Sequence, residues 1–390
     1  MALTVGGQTQ GAASSVSTAT DRKVAPVSTD GAPATDIVVA HDYLTQRGGA
    51  ERVALEIARQ LQAREVVTSV HAPNQIFPGF DEFLVRESGS RALRAMRGDI
   101  RRALPLLAPA WSRMDPVDAE ALVCSSSGWS HALRATAGTR KIVYCHNPAR
   151  WLYQRDDYLQ DQTAATRIAL NAVSPALRSW DRRAAGTADA YLANSVSVAD
   201  RIHRIYGIRP EVVHPPLSLD AEGVQDPIEG ITPGYFLTVN RPRGYKGTAL
   251  VVEAFARMPE QRLVIVGMAP SRTLPPNVTA RALVSEAELR WLYANARALT
   301  SMSHEDFGLT PVEANAFGRP VLVVKRGGFL DSTVEGVTGV FVEEESVDAV
   351  IRSVRTFPLD WDAAAIRANA DRFSAVAFGN RLREAIAAIR

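Results

Sequence analysis

Short apolar runs recur along this chain, each leading through a turn into an amphipathic stretch. "DIVVAHDYL" at 36–44 runs into "TQRGGAERVALEIARQLQ", a strand, a glycine turn and a helix. "REVVTSV", "ALVCSSS", "RKIVYCHN", "ADAYLANS" and "PEVVHPP" follow as further strands, with helical patterns between them. Apolar strands alternating with helices predict a parallel sheet in an α/β fold. The pattern breaks at 217–233, a polar segment with Gly and Pro. It then restarts with "GYFLTVN", "QRLVIVG", "TARALV", "ARALTSMS", "PVLVVK" and "GVFVE". The reading is two Rossmann-like domains in tandem, at 35–217 and 218–365, then a helical segment at 366–390. A ligand is expected in the cleft between them, at the carboxyl ends of both sets of strands.

Residues 1–34 are rich in Ala, Ser, Thr and Gly and lack the apolar run of a secretory signal, so a disordered tail is expected. No stretch approaches the ~20 apolar residues of a membrane span. The net charge of +2 gives no global pull toward nucleic acid. The two cysteines, Cys124 and Cys145, sit in strand-like runs without zinc spacing. They are expected to be buried reduced thiols in a cytoplasmic protein.

"SHEDFGLTPVEANAFGRP" at 303–320 sets Glu305 and Glu313 on either side of a helix start. Thr310 reads as the N-cap, Pro311 as the first helical residue and Glu313 as the reciprocal partner in a capping box. Gly318 and Pro320 end the helix. Glu313 thus has a local structural reading, whereas Glu305, at the end of a strand, has none.

The loop "NRPRGYKG" at 240–247 carries Arg241, Arg243 and Lys246 beside glycines. Cations on a glycine-bearing loop at a strand end suit a phosphate or diphosphate, and the helix start near 308–311 adds N–H groups for the same charge. Gly48 and Gly49 permit close backbone approach to a ligand or form an ordinary tight turn. The loop is not G-x-G-x-x-G, which disfavours a nicotinamide enzyme. His146, past the end of "KIVYC", can donate to a substrate hydroxyl or carbonyl. The one D-x-D, Asp360 to Asp362, stands where a helix begins and reads as a cap, so no metal site is expected. At 90–108, Leu93, Met96, Ile100, Leu104 and Leu107 form a stripe, with Arg94, Arg97, Arg101 and Arg102 mostly off it. A solvated face over the core explains this more simply than attachment to a membrane surface.

Together these motifs resemble the retaining glycosyltransferases of family 4, which have the GT-B fold. The resemblance spans about 36–385 and rests on E-x7-E at Glu305 and Glu313, R-x4-K-G at Arg241 and Lys246-Gly247, "GGAERV", "LANS" and "VVHPP". "HEDFGL", with Asp306 where many members have Gly, and "YCHNPARW" resemble a mannosyltransferase-like branch. Asn240 departs from the Gly or Ser usual before the Arg.

The resemblance implies that Arg241 and Lys246 neutralise the leaving diphosphate and Glu305 holds sugar hydroxyls. It implies backbone contacts from Phe307, Gly308, Leu309 and Thr310, and ribose contacts from Glu313. It also implies a sugar contact from His146, a diphosphate contact at Gly48 and Gly49, and a donor contact at Val284. The donor would be a nucleoside diphosphate sugar, GDP-mannose first, and the acceptor a hydroxyl of a glycan, lipid-linked molecule or natural product. No cofactor and no metal are implied. The C-terminal helix is expected to return toward the first domain. Peripheral membrane contact, at the inner face of the membrane, would run through 90–108. A GT-B phosphorylase, a nucleotide-sugar epimerase and a silent binding subunit are the alternatives left open by the residues.

Overall fold

The computed structural model describes residues 36–88, 90–95, 104–154, 164–240 and 247–389, without the side chains of 104–105 and 164–170. The tail at 1–34, the stretch 96–103 and the loop carrying Arg241, Arg243 and Lys246 lie outside the described residues. Thr35–Arg390 forms one compact unit.

The first sheet contains β1 (Ile37–His41), β2 (Glu65–Thr68), β3 (Leu84–Glu87), β4 (Ala121–Ser126), β5 (Arg140–Cys145), β6 (Ala190–Ala193) and β7 (Glu211–Val212). Their order is β3-β2-β1-β4-β5-β6-β7, and all pairs are parallel. The second sheet contains β8 (Tyr235–Val239), β9 (Leu263–Val266), β10 (Val278–Arg281), β11 (Ala296–Ser301), β12 (Val321–Val324) and β13 (Gly339–Val342). It runs β10-β9-β8-β11-β12-β13, again parallel throughout. Central strands such as Ile37–His41 and Val321–Val324 are buried at every position, because helices cover both faces. This explains why they read as continuous apolar runs.

Strand β3 was not expected from the sequence. Its segment, Leu-Val-Arg-Glu, is an edge strand with an exposed first residue, and its backbone pairing with β2 decides its state. Arg86 adds a cross-strand bond from its Nε to Glu65 Oε2 at 3.1 Å.

Helix ends follow the sequence where a side chain makes the cap. Ser285 accepts from Glu288 N at 3.1 Å, and Glu288 Oε2 accepts from Ser285 N at 2.6 Å, the capping box expected for Glu286–Asn295. Asp362, in the D-x-D, accepts from Ala364 N and Ala365 N at the start of Ala363–Asp371. Gly207 closes Val196–Tyr206 with φ 74°.

The C-terminal helix Ala375–Ala387 does return to the first sheet. Phe378, Leu382 and Ile386 share a buried cluster with Val39, Ile57 and Tyr144. Gly379 packs so closely that a Cβ there would lie 2.0 Å from Gln60 Oε1, and Arg383 Nη1 donates to Gln60 O at 2.8 Å. Cys124 and Cys145 are unpaired and buried, and burial pushes the Cys124 thiol up to about 12. Of the described part of 90–108, Leu93 and Leu107 are buried while Arg91 and Arg94 are exposed. Among the described residues, no helix is long and apolar enough to cross a membrane.

Candidate active site

In each sheet the strand order reverses beside a central strand, and the polar residues gather there. In the second sheet the reversal lies between β8 and β11. Asn240 follows β8, and Ser303–Gly308 follows β11. In the first it lies between β1 and β4, followed by His41-Asp42 and Ser125–Ser130. Open α/β sheets bind ligands at such points.

A cavity of about 860 Å³ opens between the two sheets. Its first-sheet wall includes Arg150, Tyr153, Arg201 and Arg204; its second-sheet wall includes Gly247, Glu305, Asp306 and Arg326. Glu305 is the one predicted site residue among the described residues that line it. Its Oε1 accepts from Ser303 Oγ at 3.3 Å. Gly247, the last residue of R-x4-K-G, opens the helix Gly247–Ala256 against the β11 loop. A Cβ there would sit 2.3 Å from the carbonyl carbon of Met302, so only glycine allows this approach.

The helix after Glu305 corrects one expectation. Thr310 is not the N-cap. The helix spans Leu309–Ala316 and begins from Gly308, whose φ is 77° and which makes no side-chain cap bond. The Phe329 ring leaves no room for a side chain here, since a Cβ on Gly308 would lie 2.5 Å from it. Gly308, Leu309 and Thr310 keep N–H groups that no carbonyl within the helix can reach, and Pro311 has none to lose. Glu313, in the second turn, is too far along to form a capping box. Its Oε2 instead accepts from Tyr293 OH at 2.6 Å, and burial first, then Glu313, raises the Tyr293 pKa well above its usual value.

Phe307 is buried, with its ring stacked on His214 at 5.4 Å and tilted against Phe373 at 5.5 Å. Val284 packs at the rim of the second core. Gly48 precedes the helix Gly49–Gln60 as its N-cap, with extended backbone and no side-chain cap bond.

His146 is buried and belongs to a pair. Ser125 Oγ lies 2.8 Å from His146 Nε2 and 3.0 Å from His41 Nδ1. One hydroxyl can donate to one imidazole and accept from the other, so both rings can be neutral. Burial lowers each of them to about 4. Asn194, from "LANS", donates from Nδ2 to His146 O at 3.0 Å and fixes the loop. The Ser125 link between His41 and His146 was not read from the sequence, because His41 and Ser125 pair across 84 residues.

Two further features were missed. Asp42 accepts from Ser127 N at 2.6 Å and from Ser130 N at 2.6 Å, which shapes the loop after β4. Gly327 and Gly328 floor the Glu305 loop: Gly328 N donates to Glu305 O at 3.1 Å, and a Cβ on Gly328 would lie 2.1 Å from Phe307 Cα. A glycine pair separated by two residues from the apolar strand Val321–Val324 was the available signal.

Two parallel Rossmann-like sheets facing one cleft define the GT-B fold. Solved structures share it: sucrose-phosphate synthase from Thermosynechococcus elongatus has a TM-score of 0.65 at 16% identity, over 90% of this chain and 98% of that one. HepE of Anabaena, in complex with UDP and glucose, has 0.62 at 15%, over 90% and 99%. The glycosyltransferase family 4 model matches residues 47–221, and the glycosyl transferases group 1 model matches 225–372. The chain therefore belongs to the family 4, group 1 glycosyltransferases, which use nucleotide-sugar donors. It is 26% identical over 369 residues to the alpha-1,3/1,6-mannosyltransferase ALG2 of Homo sapiens, covering 82% of this chain and 86% of the relative.

Proposed function

We propose that this enzyme transfers a hexose, mannose from GDP-mannose, to a hydroxyl acceptor with retention of configuration. The observation that carries the reading is Glu305. It lies on the cleft wall past β11, beside a helix start whose first backbone donors have no carbonyl partner within the helix. In this reading Glu305 holds sugar hydroxyls on the face where positive charge develops as the glycosidic bond breaks. The N–H groups of Gly308, Leu309 and Thr310 and the cations Arg241 and Lys246 meet the negative charge growing on the diphosphate. Glu313, with one oxygen held by Tyr293, takes the ribose, and Val284 lies along the nucleoside. Gly48 and Gly49 face the diphosphate from the first domain.

His146 is the sugar contact from the first domain. With Nε2 committed to Ser125, its Nδ1 is the nitrogen left for a substrate hydroxyl. The acceptor hydroxyl attacks from the leaving-group face, and the departing phosphate takes its proton, so no covalent enzyme nucleophile is needed. The mannose assignment is supported by the likeness to the mannosyltransferase relative.

Thermal shift against GDP, UDP, ADP and dTDP tests the donor class, because a ligand that binds only the folded state raises Tm. GDP is expected to give the largest shift, and Glu305→Gln to abolish slow hydrolysis of GDP-mannose while keeping the GDP shift. A shift with UDP alone would reassign the donor. No shift with any of the four at millimolar concentration would overturn the nucleotide-sugar site.

A further inference from the structure

The residue after Glu305 engages the opposite wall. Asp306 Oδ2 accepts from Arg150 Nε at 3.2 Å and also from Arg150 Nη2, while its Oδ1 accepts from Arg201 Nη1 at 2.8 Å. Its carbonyl accepts from Ser195 Oγ at 2.6 Å. Three side chains of the first sheet's half thus close on one residue of the second. The Asp306 side chain is only 16% exposed and Arg201 only 15%. This separates the cluster from an exposed surface pair, whose worth is small.

Consecutive residues then have consecutive tasks. Glu305 faces the cleft, Asp306 binds the first half, and Phe307 stacks on His214. The loop cannot settle lower, because Gly327 and Gly328 already lie in contact beneath it. On the far side, Arg201 Nη1 also donates to Asn147 Oδ1 at 2.5 Å, next to His146. One carboxylate therefore ties the Glu305 loop to the His146 loop.

We propose that Asp306 is a positioning residue: by clamping Arg150 and Arg201 it couples closure of the two halves to the alignment of Glu305 with His146. This rests on the reading of Glu305 given above. Asp306 touches no reacting atom in this role. Its removal would leave the Arg150 and Arg201 guanidinium groups without the carboxylate they share, and the halves would no longer close on a fixed geometry.

The test is donor turnover, measured as GDP-mannose and UDP-glucose hydrolysis, with Tm and the nucleoside diphosphate shift recorded alongside. Asp306→Asn is expected to lower kcat by about 10²-fold, the cost of a displacement near 1 Å, with little change in KM. Asp306→Glu should restore much of that loss, and adding Arg201→Gln to Asp306→Asn should cost little more than either alone. If Asp306→Asn fails to fold, Arg150→Gln and Arg201→Gln carry the same comparison. A wild-type kcat in Asp306→Asn overturns the proposal. So does a loss that tracks Tm and is not restored by Glu, or full additivity with Arg201→Gln. Glu305→Gln separates the layers: if it is inactive while Asp306→Asn is fully active, only the clamp fails. If Glu305→Gln turns over donor at the wild-type rate, the site reading itself fails.

Discussion

Acidification should destabilise this fold through two named imidazoles. His41 and His146 are buried about Ser125 and held to about 4, against an unfolded value of 6.5. Between those values the unfolded chain binds more protons than the folded one, so stability falls as pH falls. The contribution is fully present above the unfolded pKa and is lost progressively down to the folded one. A gap of that size corresponds to about 3 kcal/mol per histidine by about pH 4, and about 2 kcal/mol by about pH 5. The measurement is urea unfolding followed by tryptophan fluorescence, from about pH 7.5 to about pH 5, on wild type and His146→Gln. The variant starts less stable, because it loses packing, but its curve against pH should be flatter by about 2 kcal/mol over that interval. Taking the difference between the two proteins cancels the titrating groups that do not touch His146; His41, which shares Ser125 with it, moves in the same comparison. Parallel curves would refute the argument, because His146 would then not be held neutral by burial.

Two substitution sets extend the reasoning. Lys246→Ala and Arg241→Ala should each lower kcat by about 10²-fold more than they change KM, since in the proposed reading both meet charge that grows in the transition state. Arg243→Ala is the control and should change little; the reverse ordering in steady-state kinetics would reassign the diphosphate ligands. Gly328→Ala should cost about 3 kcal/mol in urea unfolding and displace the Glu305 loop, because its methyl would overlap Phe307 and Asp306 backbone. A variant with wild-type stability and turnover would show that the loop is not braced from below.

The sequence revealed what local chemistry decides. Doubly buried strands such as Ile37–His41 announce themselves as continuous apolar runs, and Ser285 and Asp362 carry their caps in their own side chains. It misled where a tertiary contact overrules a local preference. Thr310 and Pro311 are good helix starters, yet the helix begins earlier, from Gly308 with its positive φ, packed against the Phe329 ring. It was silent where pairing partners are distant. Nothing in "SSS" at 125–127 says that one hydroxyl joins two histidines, and nothing in "ED" says that the second acid binds two arginines more than a hundred residues away. Glu305 stood out in the sequence because a carboxylate after a buried strand has no local structural reading, and it lines the cavity.

The return of the last helix to the first sheet imposes an order of events during synthesis. Phe378, Leu382 and Ile386 supply part of the cluster that covers Val39, Ile57 and Tyr144. That layer cannot be completed when β7 leaves the ribosome; it waits for the whole second sheet and its helices. At usual elongation rates the wait is on the order of tens of seconds. Throughout it, the nascent first sheet presents an uncovered apolar flank, the kind of surface that invites aggregation until the last helix arrives.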